Sequence, residues 1–258
     1  IAQRMQTAPE QYPEEISRYK AFFTDNYQLD AQTEEQLDKM AALAAVYAHL
    51  FEDFRLDVLS AECWTATPGM FGGLAPCAVN GMLADMGMPV ACESDIHLII
   101  TTALLSCAAL GESTPIQGEF TIRHPQNKNA ELLWHCGPFS LSGKAPDSKA
   151  RMVNQRQWFR AKDGKYTLAR LDQQDGQYML LPLTCETTTG PETSGTYIWA
   201  EFEDLQKVED RLIQGPYIHH FAEIQGDWLA ELNEFCKYVP QIKLDRILYN
   251  CADQRCTK

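Results

Sequence analysis

From Thr33 onward, apolar residues recur at Leu37, Met40, Leu43, Ala44, Tyr47, Leu50 and Phe51. Steps of three and four place them on one face of an α-helix. The preceding Thr33-Glu-Glu-Gln36 has the form of a capping box, so an amphipathic core helix starts there. Residues 55–60 then read as a strand, 78–86 as a short helix closed by Gly87, and Val90-Ala-Cys92 as a further strand. Asp95 is a good N-cap for a helix over 96–110 that ends at Gly111. Strands alternating with helices predict an open parallel α/β sheet across residues 1–113.

The pattern changes after Ser113-Thr114-Pro115, where a domain boundary is expected. Residues 132–135, 152–159, 166–171, 178–183 and 197–202 read as strands, and Asp175-Gly176 is a hairpin turn between two of them. Closely spaced strands with tight turns predict a mainly antiparallel β-barrel over 114–258, interrupted by a helix at 228–238. The fold expected is an open α/β sheet domain followed by that barrel.

Composition narrows the partners. The 258 residues are 45% hydrophobic, enough for one large domain or two modest ones. Against 35 Asp and Glu there are only 22 Lys and Arg, a formal charge of -13. No basic stripe offers itself to nucleic acid, and an acidic surface is a poor match for anionic lipid. The longest apolar run, 96–110, is interrupted by Thr101, Thr102 and Ser106 and falls short of a bilayer span. Nine cysteines, an odd number with no CxxC pair, argue for reduced thiols and a cytoplasmic protein. The chain begins at Ile1 in a polar segment, which is the expectation for a fragment of a longer protein.

Three segments carry chemistry. Glu93 falls just past a strand and before the helix at Asp95, where open α/β sheets place ligands; the alternative is that it serves the helix end. Glu119 opens a β segment next to the expected boundary, and domain junctions are frequent ligand sites. His219-His220 follow a Gly-Pro loop, and neighbours on an extended chain point to opposite sides, so one of the two is expected to face a given metal. His135, alone in an apolar strand, reads in isolation as a hydrogen-bonded core residue. Two carboxylates with imidazole suit Mn²⁺, Co²⁺ or Mg²⁺ better than a thiolate zinc site.

The order of these segments resembles the L-fucose isomerase and L-arabinose isomerase superfamily. Glu93-Ser-Asp95, Glu119-Phe-Thr-Ile-Arg-His124, Trp134-His135-Cys136 and His219-His220 follow one another as in the arabinose-isomerase pattern, and the separation 119 − 93 = 26 matches it. Glu62-Cys-Trp64 and Pro76-Cys-Ala-Val-Asn80 look like the fucose-isomerase-like branch, and the likeness runs over roughly residues 55–240.

The resemblance implies a middle α/β domain and a carboxyl-terminal barrel, with an amino-terminal domain not contained in this chain. It makes Glu93, Glu119 and His220 ligands of a divalent cation, Mn²⁺ first, with His135 a fourth ligand in the arabinose-type arrangement. It also implies Glu93 and Glu119 as the acid/base pair for a ketose–aldose shift through a cis-enediol. Trp64, Trp134 and His219 would face the sugar, with Phe139 a further candidate wall, and a neighbouring subunit of a homo-oligomer would complete the site. The rival readings are a catalytically silent sugar-binding protein on the same scaffold and a different metal-dependent enzyme, a hydrolase or aldolase.

Overall fold

In the computed structural model, which describes residues 1–247, the chain opens with α1 (Ala2–Gln11) and α2 (Pro13–Asn26), then β1 (Gln28–Asp30) and α3 (Glu34–Phe54). The capping box at α3 is reciprocal: Thr33 Oγ1 accepts from Gln36 N at 3.2 Å, and Gln36 Oε1 accepts from Thr33 N at 2.9 Å. Leu37, Met40, Leu43, Ala44, Tyr47 and Phe51 are all buried, together with Ala41, Ala42, Ala45 and Val46. The alanines let α1, α2 and α5 approach α3 closely, and the four helices share one apolar core.

Next come β2 (Leu59–Ser60), α4 (Ala66–Met70), α5 (Cys77–Asp85), β3 (Val90–Ala91) and α6 (Ile96–Ala108). Here the expected fold class is corrected. Among the described residues there is no open parallel α/β sheet; β2 and β3 form a two-stranded parallel pair, Leu59 with Val90 and Ser60 with Ala91. The first residues of the expected strand 55–60 instead finish α3: Arg55 adopts a left-handed C-cap conformation, and Leu56 N donates to Phe51 O at 2.9 Å. With two short strands and an alanine-rich helix, the apolar surface of this half is satisfied by helix-on-helix packing.

The remaining strands are β4 (Ile116–Arg123), β5 (Ala130–His135), β6 (Arg151–Val153), β7 (Arg156–Arg160), β8 (Lys165–Gln174), β9 (Gln177–Thr187), β10 (Thr196–Glu201), β11 (His220–Gln225) and β12 (Ile242–Leu244). Helix α7 (Leu205–Gln214) precedes β11, and α8 (Leu229–Tyr238) follows it. Six strands close in the order β10, β5, β4, β11, β8, β9 and back to β10, every pair antiparallel. Closure removes the free edges of those strands. The other four strands of the sheet, β1, β6, β7 and β12, extend it outside the closed ring. The β8–β9 hairpin turns at Asp175 (φ 53) and Gly176 (φ 79), with Gln174 paired to Gln177. Positive φ at both positions matches the right-handed twist of the flanking strands.

Side chains alternate across the barrel wall. Ile116, Phe120, Leu133, Leu168, Leu181, Ile198 and Phe221 fill the interior, while Ala169, Leu171, Ala222 and Ile224 turn outward against α6. Helix α6 is hooked to the wall by Thr101, whose Oγ1 accepts from Leu171 N at 2.9 Å. Docking α6 here brings the loop before it to the outer face of β4 and β11. No helix among the described residues is long and apolar enough to cross a membrane. The seven cysteines within the described residues are free thiols; Cys251 and Cys256 lie outside them.

Candidate functional site

The loop joining β3 to α6 is held in an unusual backbone conformation. Glu93 (φ 61) and Ser94 (φ 57) are consecutive left-handed residues with side chains, at a cost of about 1–2 kcal/mol each. The surroundings fix it. Ser94 N donates to Ala61 O at 3.2 Å and Asp95 N to Cys92 O at 3.2 Å. Gln117 of β4 clamps the preceding residues, its Oε1 accepting from Cys92 N at 3.3 Å and its Nε2 donating to Val90 O at 3.1 Å. The turn directs the Glu93 carboxylate to the mouth of His220. Asp95, not Glu93, is the helix cap, its Oδ1 accepting from Leu98 N at 2.8 Å.

Strand register supplies the rest. Glu119 of β4 lies directly opposite His220 of β11 and, on its other side, opposite Trp134 of β5. His220 Nε2 is 3.5 Å from Glu119 Oε2 and 3.7 Å from Glu93 Oε2. These spans equal or exceed the limit of a hydrogen bond, and Nε2 is buried with no hydrogen-bond partner. They are the spans expected between two ligands of one cation at bond lengths of about 2.0–2.2 Å. One donor atom each from Glu93, His135 and His220 lie within 4.8 Å of one another, as do those of Glu119, His219 and His220. His220 is thus common to two clusters, one with Glu93 and His135 and one with Glu119 and His219, and each offers donors of the kind a divalent cation takes.

The back of His220 is equally specific. Its Nδ1 is 3.2 Å from Asp95 Oδ2, which also accepts from Arg170 Nη1 at 2.6 Å. Arg170 is 2% exposed and reaches Asp172 at 3.2 Å with Nη2; Asp172 in turn meets His97 Nδ1 at 3.4 Å. Asp95 is thereby held well below its usual range: burial alone would raise it, but His220 and Arg170 outweigh burial. Burial opposes the charge on His220 as well, yet Asp95, Glu119 and Glu93 push it up to about 9. Burial would likewise raise Glu119; His220, His135 and His219 instead hold it below the ordinary carboxyl value.

His219 departs from strict alternation. Its Nε2 is 3.0 Å from Glu119 Oε2, so both histidines of the pair reach the same carboxylate. The reason is that β11 begins at His220, and His219 sits in the bend before it. The two still differ sharply, His219 being 57% exposed and His220 4%. His124 goes elsewhere, its Nε2 lying 3.0 Å from Thr189 O. Trp134 stands beside Glu119 and donates through Nε1 to Ser194 O. Trp64 is 64% exposed beside the loop that Glu62 caps, and Phe139 is fully buried in the barrel core.

Two roles are absent from the sequence reading. Asp95 is legible as a helix cap, but its second bond to His220 requires knowing that β11 passes behind α6. Arg170 had a signal: a guanidinium inside the apolar run 166–171 needs a buried counter-charge.

No protein-family profile matches the chain. It is similar to sulfoquinovose isomerase of Priestia aryabhattai and to that of Priestia megaterium, each 28% identical over 216 residues, covering 79% of this chain and 47% of the relative. Sulfoquinovose isomerase of Alkalicoccus urumqiensis is 26% identical over 209 residues, covering 77% of this chain and 46% of its own length. The likeness is thus to sugar isomerases rather than to fucose or arabinose isomerases in particular, and the chain spans about half the length of the curated relatives it matches.

Proposed function

We propose that the chain carries the metal centre of an aldose–ketose isomerase, with Glu93, Glu119 and His220 Nε2 holding one divalent cation. The observation that carries this reading is the approach of two carboxylate oxygens to one unpartnered imidazole nitrogen, at 3.5 and 3.7 Å. Similarity to proteins named sulfoquinovose isomerase supports the reaction class and adds sulfoquinovose to L-fucose and L-arabinose as substrate candidates. Two hard carboxylates with one borderline nitrogen favour Mn²⁺, with Co²⁺ or Mg²⁺ as substitutes.

When bound, such a cation polarises a carbonyl and stabilises charge developing on neighbouring sugar oxygens. The chain's own residues do the proton work. Glu93 or Glu119 removes the C2 proton of the open-chain aldose to give a cis-enediol intermediate (as its enediolate), the other carboxylate carries the hydroxyl proton from O2 to O1, and the first returns its proton at C1. The imidazoles around Glu119 hold it below the ordinary carboxyl value, so it meets the sugar in its ionised form. Asp95 fixes the His220 ring so that Nε2 faces the centre. Trp134 offers an apolar wall beside Glu119, and a second subunit of a homo-oligomer is proposed to close the open side.

The test is turnover. The protein is incubated with Mn²⁺ and, separately, sulfoquinovose, L-fucose and L-arabinose, and ketose is scored by NMR. One of these sugars is expected to convert, and Glu119→Gln is expected to abolish conversion and weaken Mn²⁺ binding. Full activity in Glu119→Gln would remove that carboxylate from the reaction. Tight Mn²⁺ binding with no ketose from any sugar would favour a silent sugar-binding protein.

A further inference from the structure

Two imidazoles at this centre have buried, unpartnered Nε2 atoms, His220 and His135, with ring centroids 5.6 Å apart. Their other nitrogens are engaged in opposite ways. His220 Nδ1 lies 3.2 Å from Asp95 Oδ2, and an ionised carboxylate only accepts, so Nδ1 carries hydrogen. In the neutral ring the lone pair is then on Nε2, the form a metal ligand needs. His135 Nδ1 instead receives the backbone N–H of Cys136 at 3.0 Å. A backbone N–H only donates, so this Nδ1 holds the lone pair and the proton of the neutral ring sits on Nε2. The Cys136 sulfur lies 3.3 Å from the same Nδ1 and is drawn toward thiolate by Cys77 and His135; a ring that gains a second proton in response still carries hydrogen on Nε2.

We propose that His135 is not a metal ligand: it presents Nε2–H to the centre as a hydrogen-bond donor to an oxygen of the bound sugar, while His220 ligates through Nε2. This rests on the metal-isomerase reading above and divides roles within it. A nitrogen carrying hydrogen has no lone pair in the ring plane for a cation. A buried donor with no protein partner is costly unless something else accepts from it. A sugar hydroxyl or carbonyl at the same centre does so, since a His135 donor atom lies within 4.8 Å of those of Glu93 and His220. His135 would then be a catalytic residue that touches substrate, buried deeply enough (1% exposed) for its bond to orient the sugar in a water-poor site.

The first arm of the test needs no variant. Long-range ¹H–¹⁵N correlation of histidine-labelled protein, metal-free and with diamagnetic Mg²⁺, reads which nitrogen of each ring carries hydrogen. The expected result is Nε2–H for His135 and Nδ1–H for His220 in the Mg²⁺ form; Nδ1–H on both overturns the proposal. The second arm titrates Mn²⁺ by the EPR signal of the free ion. His220→Ala is expected to weaken binding about 100-fold or more, whereas His135→Ala and His135→Gln stay within about threefold of wild type. Loss of Mn²⁺ from both His135 variants as severe as from His220→Ala makes His135 a ligand and sinks the proposal. For the sugar that the protein converts, His135→Ala is expected to raise KM or lower kcat about 10-fold or more, with His135→Gln, which keeps a donor, recovering part of the loss. No Mn²⁺ binding by the wild type would defeat the metal reading itself, while the NMR arm still decides the tautomers.

Discussion

Strand β11 buries two polar side chains three residues apart, and they face opposite sides of the barrel wall. His220 looks outward and is 4% exposed; Glu223 looks into the barrel and is 0% exposed. Both hold atoms with no hydrogen-bond partner: Nε2 of His220, and both oxygens of Glu223. Their surroundings separate them. His220 meets Asp95, Glu93 and Glu119 within 3.7 Å, whereas Glu223 faces the apolar interior and the backbone of Gly118, where a Cβ would collide with its Oε1. Burial alone pushes the Glu223 carboxyl well above its ordinary value, so it stays neutral. A buried orphan atom is therefore no sign of a site by itself. The sign is a second and third donor, carried by other elements, converging on it.

The steepest way to break this contrast is to remove the cation that the outer cluster has and Glu223 lacks. Arg170→Met leaves Asp95 and Asp172 buried beside one another without the guanidinium that bridges them. The expected loss of stability is about 3–5 kcal/mol, read from urea unfolding. A loss under about 1 kcal/mol would show that the carboxylates are solvated or paired in another way.

Next in size is Asp95→Asn. Asparagine still caps a helix, so α6 should keep its start, but the negative partner of His220 Nδ1 is gone. Mn²⁺ affinity should fall about 10–100-fold with unchanged helix content by circular dichroism. Unchanged affinity would reduce Asp95 to a cap and a counter-ion for Arg170.

The sequence made the parts of this cluster legible better than their relation. Motif order proposes Glu93, Glu119 and His220 as candidates, and residue type and position identify the cap at Asp95. The register that sets Glu119 against His220 is a long-range pairing, and nothing local in either segment encodes it. The α/β expectation failed for a related reason. Two short apolar runs separated by helices have the local texture of a parallel sheet, but a sheet needs further strands beside them. Among the described residues none stands beside them, and the apolar surface of this half packs helix on helix instead. Hairpin chemistry was easier to read, because Asp175-Gly176 dictates its turn from two adjacent residues.

Glu223 gives the pH test. A carboxyl whose folded value lies above its unfolded value of 4.5 keeps its proton in the native state while the unfolded chain releases it. Its contribution is fully present below pH 4.5 and is lost as pH rises toward the folded value. Glu223→Met removes both the unsatisfied acid and this slope. The variant should gain about 1–3 kcal/mol over wild type near pH 8, with the gain shrinking as pH falls to about 4. A gain that does not change with pH would mean Glu223 titrates normally and is reached by water.

The smallest effect is expected at His219, and it tests the outer cluster from its own edge. His219 shares Glu119 Oε2 with His220, at 3.0 Å against 3.5 Å, so distance alone would favour His219 as a ligand of the proposed cation. Burial and support decide the other way. His219 is 57% exposed, whereas His220 is clamped from behind by Asp95. An exposed imidazole loses much of its interaction to water and to its own rotamer freedom. His219→Ala should therefore change Mn²⁺ affinity by less than about threefold, beside the roughly 100-fold loss in His220→Ala. If His219→Ala proves the more damaging, the two histidines exchange roles, and the Asp95–Arg170 support behind His220 holds the fold rather than a ligand.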